Sequence, residues 1–398
     1  MLVLNNGSSS IKGALYQVLD KTSSMSQGKS AFLKLAGFSQ SLTKAEAGDL
    51  DKRKERARKC IDTLVGKDKN ANRKIIVVAH RVVHGGELDA PCLIDSKVLK
   101  KIKDLCEFAP LHNPGSLAVI EAAREALPAV RQVACFDTAF HRSIKSSEAI
   151  YALPAALTQK YKLQRYGFHG INCAYITDKV KSLNISNSGS SSNSGGHSKH
   201  LLICHLGAGA SITAVKDGKS VDNSMGFTPL DGLVMNTRAG HIDAGVVLYL
   251  MGKEKLSVPK MEELLNKDCG LIGLCGESDM RKIEEAAYGK SKNKSSQKAL
   301  ETLDLYHHRL RTVAGAMIAS MGGLDTLVFT GGIGENSAAV RERLGTDLAH
   351  LGLKLSASKN KTARAEKNEL ISTSSSKVKV YVIAADEELQ MASSALRV

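Results

Sequence analysis

The chain has 398 residues, more than one hydrophobic core usually supports, so two domains are expected. Its 43% hydrophobic content suits a soluble globular protein, and no apolar run reaches the ~20 residues of a membrane span. The net charge of +15, from 55 basic against 40 acidic residues, points to anionic partners; with 4% aromatic residues and no Trp, a stacking platform for nucleic acid is poorly supplied, which leaves small anions.

In chain order, LVLNNGSSSIKGALYQV (2–18) reads as a buried strand over residues 2–4, a reversal of small residues, and an antiparallel strand over 11–18. An Asn-Gly pair alone would turn such a hairpin. Here Asn5, Asn6 and Gly7 are followed by Ser8, Ser9, Ser10 and then Lys12. N–H groups, hydroxyls and an ammonium suit an anion, and glycine lets the backbone approach it. Taken alone, the loop reads equally as a polar hairpin that binds nothing. A strand starting at residue 2 leaves no room for a signal or transit peptide. A cytoplasmic location follows, with an organelle open only to a chain trimmed from a longer precursor. The basic residues are scattered, with modest knots at 52–59 and 290–294.

RKIIVVAHRVVHGG (73–86) and RQVACFDTAFH (131–141) are apolar strands ending in polar residues, where α/β proteins commonly place their sites. Between them NPGSLAVIEAAREALP (113–128) is a helix capped by Asn113, with Pro114 in its first turn and Pro128 beyond its end. NISNSGSSSNSGGHSK (184–199) cannot build a core and reads as a flexible surface loop, with His197 and His200 solvated.

LLICHLGAGASITAVKDGKSV (201–221) then repeats the N-terminal pattern of buried strand, small-residue turn and alternating strand, with Asp217-Gly218 as a further hairpin. Two copies of one phosphate-loop hairpin predict two similar domains facing one ligand, and strengthen the anion reading of both loops. DTLVFTGGIGENSAAVRERL (325–344) is strand, glycine turn, helix; VKVYVIAADEELQMASSAL (378–396) is strand, acidic cap, terminal helix. The eight cysteines form no C-x-x-C pair and read as reduced core residues of an intracellular protein.

Nine stretches then stand in one family's order: NNGSSSIK, HRVVHGGE, APLHNP, CFDTAFH, RYGFHG, HLGAGAS, DNSMGFTPLDGLVMNTRAGHID, VFTGGIGEN and ADEEL. On these the chain resembles the acetate kinase family over nearly its whole length. The resemblance implies the α/β fold shared with actin, sugar kinases and heat-shock ATPases. Two similar ribonuclease H-like domains, each a mixed sheet flanked by helices, would hold the active site in the cleft between them. Residues 1–145 with 384–398 would form the N-terminal domain, and 146–383 the nucleotide-binding one. The resemblance also implies a homodimer and reversible transfer of the ATP γ-phosphoryl to acetate, giving acetyl phosphate and ADP. Mg2+ is the implied metal, with Mn2+ as a substitute; neither a nucleic acid nor a membrane is an expected partner.

A carboxylate attacking a phosphoryl group needs no strong base; charge repulsion is the obstacle, met by positioning and cations. The resemblance places Arg81 and Arg238 on the substrate and phosphates, where a guanidinium fork pairs with oxyanions bidentately. Other arginines read as surface ion pairs. His169 would contact the transferring phosphoryl, and Asp137, costly after an apolar strand unless paired, would orient the arginines or the metal shell. Val83, Leu111, Phe168 and Pro229 fall at the acetate-methyl pocket, though by composition alone they are core residues. His112 matches a second active-site histidine and reads equally as structural.

Ser8, Ser10, Lys12, His205, Gly207 and Gly209 fall to the two phosphate loops, and Asp279 and Arg281 to the border of the nucleotide. Gly331, Gly332, Gly334 and Asn336 fall to the adenosine pocket. Asn5 and Glu387 are implied for magnesium, while Asp386 complements a helix N-terminus. Some positions depart from the family's pattern: Ala208 for Asn, Asn236 for Gly, Cys173 for His, His241 for Asp and Ala244 for Pro. Asn236 would crowd the phosphates or supply the amide that Ala208 lacks. The alternatives left by these departures are a degenerate, non-catalytic nucleotide binder, and a relative using propionate, butyrate or pyrophosphate.

Overall fold

Strand β1 (Leu2–Asn6) is buried along its whole length, which places it inside a sheet and not at an edge. The computed structural model describes residues 1–7, 10–19, 32–66, 74–187, 198–289 and 293–398. Two units divide the chain: Met1–Arg142 with Phe168–Tyr175 and Asp386–Val398, and Ser143–Gly167 with Ile176–Ala385.

In the first unit β1 pairs antiparallel with β2 (Ser10–Val18), which pairs antiparallel with β3 (Phe32–Ser41). On its other side β1 runs parallel to β4 (Val77–Val82). The antiparallel edge strand β5 (Cys92–Leu93) borders β6 (Arg131–Phe136), which is parallel to β4. Helices Leu50–Gly66 and Asn113–Ala126 pack on one face and the terminal helix Glu387–Ala395 on the other. Strand alternation sorts the side chains between them. Leu2, Leu4 and Val78 meet Ala57, Cys60, Ile61 and Val119, whereas Val3, Ala79, Val133 and Cys135 meet Met391, Ala392 and Ala395. Burying one such large aliphatic side chain stabilises the fold by about 1.5–3 kcal/mol.

The second unit repeats this plan strand for strand. Strand β7 (His200–Leu206) is antiparallel to β8 (Ala210–Lys216), which is antiparallel to β9 (Lys219–Asn223). It is parallel to β10 (Thr326–Thr330). The edge strand β11 (Glu369–Leu370) is antiparallel to β12 (Lys379–Val382), itself parallel to β10. Asp217 and Gly218 turn β8 into β9 at φ of 50° and 78°, the positive values a tight hairpin needs. The two mixed six-stranded sheets flanked by helices are the architecture that the resemblance implies.

Several local expectations change. Asn113 opens its helix but is not the cap; His112 holds that position, without a side-chain cap bond. Asn113 instead fastens a strand end, Nδ2 donating to the His84 carbonyl at 3.0 Å and Oδ1 accepting the His84 N–H at 3.1 Å. Helix Gly170–Asn187 runs into the Ser/Gly-rich tract, so 184–187 are helical, while 188–197, with His197, lie outside the described residues. His200 is not solvated: its ring lies 3.3 Å from Asp325 and its side chain is largely buried. Nor are all remaining arginines on the surface, since Arg53 and Arg341 are each 2% exposed. No helix among the described residues is long and apolar enough to cross a membrane.

Candidate active site

The face of the first sheet that carries Val3, Ala79 and Cys135 continues, at the carboxyl ends of the same strands, as Asn5, Arg81 and Asp137. The terminal helix packed on that face starts at Glu387. Asp386 caps it, accepting the Leu389 N–H at 2.9 Å. Glu387 turns instead toward the strand ends, where Arg81 is the hub. Its Nε and Nη2 donate to Asp137 Oδ2 at 3.1 and 2.7 Å, and its Nη1 to Glu387 Oε2 at 2.9 Å and Asn5 Oδ1 at 3.1 Å. Asn5 closes the ring through Nδ2, which donates to Glu387 Oε2 at 2.8 Å and Glu388 Oε1 at 3.2 Å.

Little water reaches this cluster: the Arg81 side chain is 13% exposed and that of Asp137 1%. Burial opposes the charge on Arg81, yet Asp137 and Glu387 more than restore it and hold the guanidinium above its ordinary pKa. Burial raises the Asp137 carboxyl to about 6, with Arg81 pulling against the shift and Glu387 adding to it. Asp137 and Glu387 bond the guanidinium and Glu388 bonds Asn5, so acidic side chains outnumber the one cation, an excess of oxygen anion of the kind a hard dication takes. Among the described residues no group of three or more Asp, Glu, His or Cys side chains is placed to hold a metal ion by itself.

His169 sits at φ 59°, a left-handed backbone that costs a non-glycine residue roughly 1–3 kcal/mol and is typically kept at functional sites. The turn is seated by Gly170, whose N–H donates to the Asp137 carbonyl at 2.8 Å; a Cβ on Gly170 would collide with that oxygen. The adjacent Phe168 is buried. Burial pushes His141 down to about 4, so it is neutral and donates Nε2–H to the Phe168 carbonyl at 2.9 Å. The ring of His84 packs edge-on against that of Phe168, centroids 5.7 Å apart. Val83 is buried, His112 half-buried and Leu111 exposed. Lys12 lies opposite Asn5 in the ladder and so shares its face. Gly7 N–H closes the reversal on the Ser10 carbonyl at 2.9 Å, and Ser8 lies outside the described residues.

In the second unit glycines build the equivalent strand ends. Gly207, one residue past β7, bonds the Gly209 carbonyl at 3.1 Å. A Cβ on Gly207 would stand 3.8 Å from Gly332 N, so the second loop adjoins the turn after β10; His205 is paired with Thr330 beside it. Gly331, at φ 79°, leaves room for the Leu206 carbonyl, 2.8 Å from where its Cβ would be. The glycine turn is itself a helix, Gly331–Asn336, within which Gly334 is buried and Asn336 Nδ2 donates to the Gly332 carbonyl at 2.8 Å. Asp279 caps helix Met280–Tyr288 and pairs with Arg281 Nη2 at 2.6 Å, which holds its carboxyl at about 2.

Arg238 Nη1 donates to the Pro229 carbonyl at 3.2 Å, and burial lowers its guanidinium to about 10. The backbone of Arg238 leans on Gly270, at φ 66°, where a Cβ would come within 2.9 Å of Arg238 N. Asn236 and Ala208, both departures from the family's pattern, touch: Asn236 N–H donates to the Ala208 carbonyl at 3.3 Å. Direct bonds therefore join Asn5, Arg81, Asp137 and Glu387, and a second set gathers His205, Gly207, Gly209 and the 331–336 helix. Gly170 and Gly270 escape the sequence reading, and Glu388, which reads there only as complementing a helix N-terminus, also accepts from Asn5. Glu388 had a signal, being one of three acids opening a helix; the two glycines had none beyond their type.

A model of the acetokinase family matches residues 1–393. The acetate kinase of Acetivibrio thermocellus is 39% identical over 411 residues, covering 100% of this chain and 98% of that one. Among solved structures, Porphyromonas gingivalis acetate kinase matches with TM-score 0.83 at 33% identity, over 100% of this chain and 98% of its own. A propionate kinase from Francisella tularensis matches with TM-score 0.81 at 33% identity, over 100% of this chain and 99% of its own.

Proposed function

Because the chain belongs to the acetokinase family, we infer that it transfers the γ-phosphoryl of ATP reversibly to acetate, giving acetyl phosphate and ADP. The observation that carries this reading is the buried Arg81 hub, a guanidinium aimed by carboxylates at the strand ends where a small anion would bind. An acetate oxygen forms the new bond to phosphorus as the bond to the β,γ-bridging oxygen breaks, and that electron pair leaves with ADP. Acetate is already ionised, so the protein's task is to hold two anions together. Arg81 and Arg238 neutralise the oxygens between which charge is redistributed, and His169 holds the phosphoryl by hydrogen bonding. Asp137 is the positioning group that fixes the Arg81 fork. Asn5 and Glu387, with Asp137 beside them, would hold magnesium, which supplies charge neutralisation on the phosphates when bound.

The resemblance assigns phosphates to Ser8, Ser10, Lys12, His205, Gly207 and Gly209, and adenosine to Gly331, Gly332, Gly334 and Asn336. Val83, Phe168 and Pro229 receive the acetate methyl. A homodimer is supported by helix Ala244–Lys253, whose Val246, Leu248 and Tyr249 are exposed and none of whose residues is fully buried. Eight free thiols support a reducing compartment such as the cytoplasm.

The test is purified protein with ATP, magnesium and a panel of carboxylates, the acyl phosphates being trapped as hydroxamates. Acetate should give the highest kcat/KM, propionate less and butyrate little, each unaccommodated methylene costing about 1–3 kcal/mol. Equal constants for acetate and butyrate, or no acyl phosphate at all, would overturn the assignment.

A further inference from the structure

β1 ends in two asparagines, and alternation sends them to opposite faces of the sheet. Asn5 meets Arg81, and Asn6 meets Arg53 of helix Leu50–Gly66. Arg53 belongs to the buried stripe of that helix, with Ala57, Cys60, Ile61 and Leu64, and is 2% exposed. An apolar side chain would fill this stripe without giving up the hydration of a charge. What the arginine adds is a grip on the loop: Nη1 donates to Asn6 Oδ1 at 2.6 Å and to the Gly7 carbonyl at 3.1 Å. Space for the grip is left by Gly115, where a Cβ would come 2.9 Å from Asn6 Nδ2 and 3.1 Å from Arg53 Cδ.

We propose that Arg53 is a positioning residue for nucleotide phosphates, fixing the Asn6 side chain and the Gly7 carbonyl where β1 ends and placing a permanent positive charge against them. The proposal rests on reading residues 7–12 as a phosphate loop. Donating to the Gly7 carbonyl also offsets the negative end of that peptide dipole. The clamp is therefore double: one guanidinium holds Asn5 on the magnesium side of β1, and another holds Asn6 on the helix side.

Arg53→Met keeps the volume and removes the charge, while Arg53→Lys keeps the charge and loses the fork. Binding of ATP and ADP would be followed by calorimetry without acetate, beside separate KM values for ATP and acetate and a thermal melt. In Arg53→Met the nucleotide Kd and the KM for ATP should rise about 10- to 100-fold, the factor for losing a charge-assisted hydrogen bond, with the KM for acetate unchanged. Arg53→Lys should recover part of this, and free guanidinium should restore part of the nucleotide affinity of Arg53→Ala. An unchanged nucleotide Kd in folded Arg53→Met overturns the proposal, as does an equal rise in both KM values. Should Arg53→Met fail to fold, Gly115→Ala crowds the same clamp without removing charge and must show the same selective rise. A wild-type protein that binds ATP but makes no acetyl phosphate would refute the assigned reaction, leaving Arg53→Met to decide the loop assignment. Wild-type protein that binds no nucleotide refutes both.

Discussion

Arg81 matters most where charge moves, because a donor aimed at charge developing in the transition state is worth more there than on the bound substrate. Arg81→Ala and Arg238→Ala should each lower kcat by about two to three orders of magnitude, not merely raise KM. Lysine should rescue only in part, since it keeps the charge and loses the bidentate fork. Steady-state kinetics on folded variants check this, and unchanged kcat in both alanine variants would remove the charge-neutralisation mechanism. Asp137 gives the site a pH dependence of calculable sign. Its carboxyl, raised to about 6, takes up a proton as pH falls through that value, and a neutral acid no longer holds Arg81. Activity should therefore decline on the acid side with a limb near pH 6. A dication beside the carboxylate favours its charged form, so saturating magnesium should move the limb to lower pH. A limb that ignores magnesium and persists in Asp137→Asn belongs to another group. Stability runs the other way. A raised carboxyl pKa means that the folded chain binds the proton more readily than the unfolded one. The contribution of Asp137 to folding is full below its unfolded pKa and is lost as pH rises through about 6.

Gly170 and Gly332 allow a structural role to be told from the proposed ligand-facing one. Gly170 lies against the Asp137 carbonyl, so Gly170→Ala must shift the His169 turn, costing about 1–3 kcal/mol and lowering kcat. Gly332 is exposed with nothing within 4 Å of where its Cβ would be, so Gly332→Gln should melt like the wild type while its KM for ATP rises. Melting curves beside KM values decide; a Gly332→Gln protein with unchanged ATP affinity removes that turn from the nucleotide site. The same contrast explains what was legible in the sequence. Period-two alternation marked the strands, and it also fixes why Asn5, Arg81 and Asp137 share a face while Asn6 does not. The helix at Gly331 was hidden because glycine is a poor helix former, and the close approach of the Leu206 carbonyl outweighs that propensity. Arg53 was hidden by its neighbours: inside a basic knot it reads as solvated, although it precedes Ala57 by one helical turn on the buried stripe. Asn113 misled for the reason that makes asparagine a good cap, a short side chain that bonds backbone, here on the wrong strand of the argument: it bonds His84.

At the scale of the whole molecule, the two sheets repeat one strand order, and helix Ala244–Lys253 lies outside both. Its Leu248 and Tyr249 are 70% and 63% exposed, and Val258 soon after it is 68% exposed. Large apolar side chains left this exposed mark candidate interaction surfaces. A two-fold dimer would use each of these side chains twice, and burial of each is worth about 1.5–3 kcal/mol. A charge of +15 on every chain opposes that association, so added salt should strengthen the dimer by screening. Light scattering coupled to size exclusion should find a dimer that tightens between low and moderate salt. Leu248→Asp with Tyr249→Asp should release monomers that still melt near the wild-type temperature, because both side chains are exposed in the protomer. A double variant that stays dimeric would place the interface elsewhere. One that unfolds would mean that the helix stabilises the protomer itself, and a wild-type monomer at micromolar concentration would remove the dimer altogether.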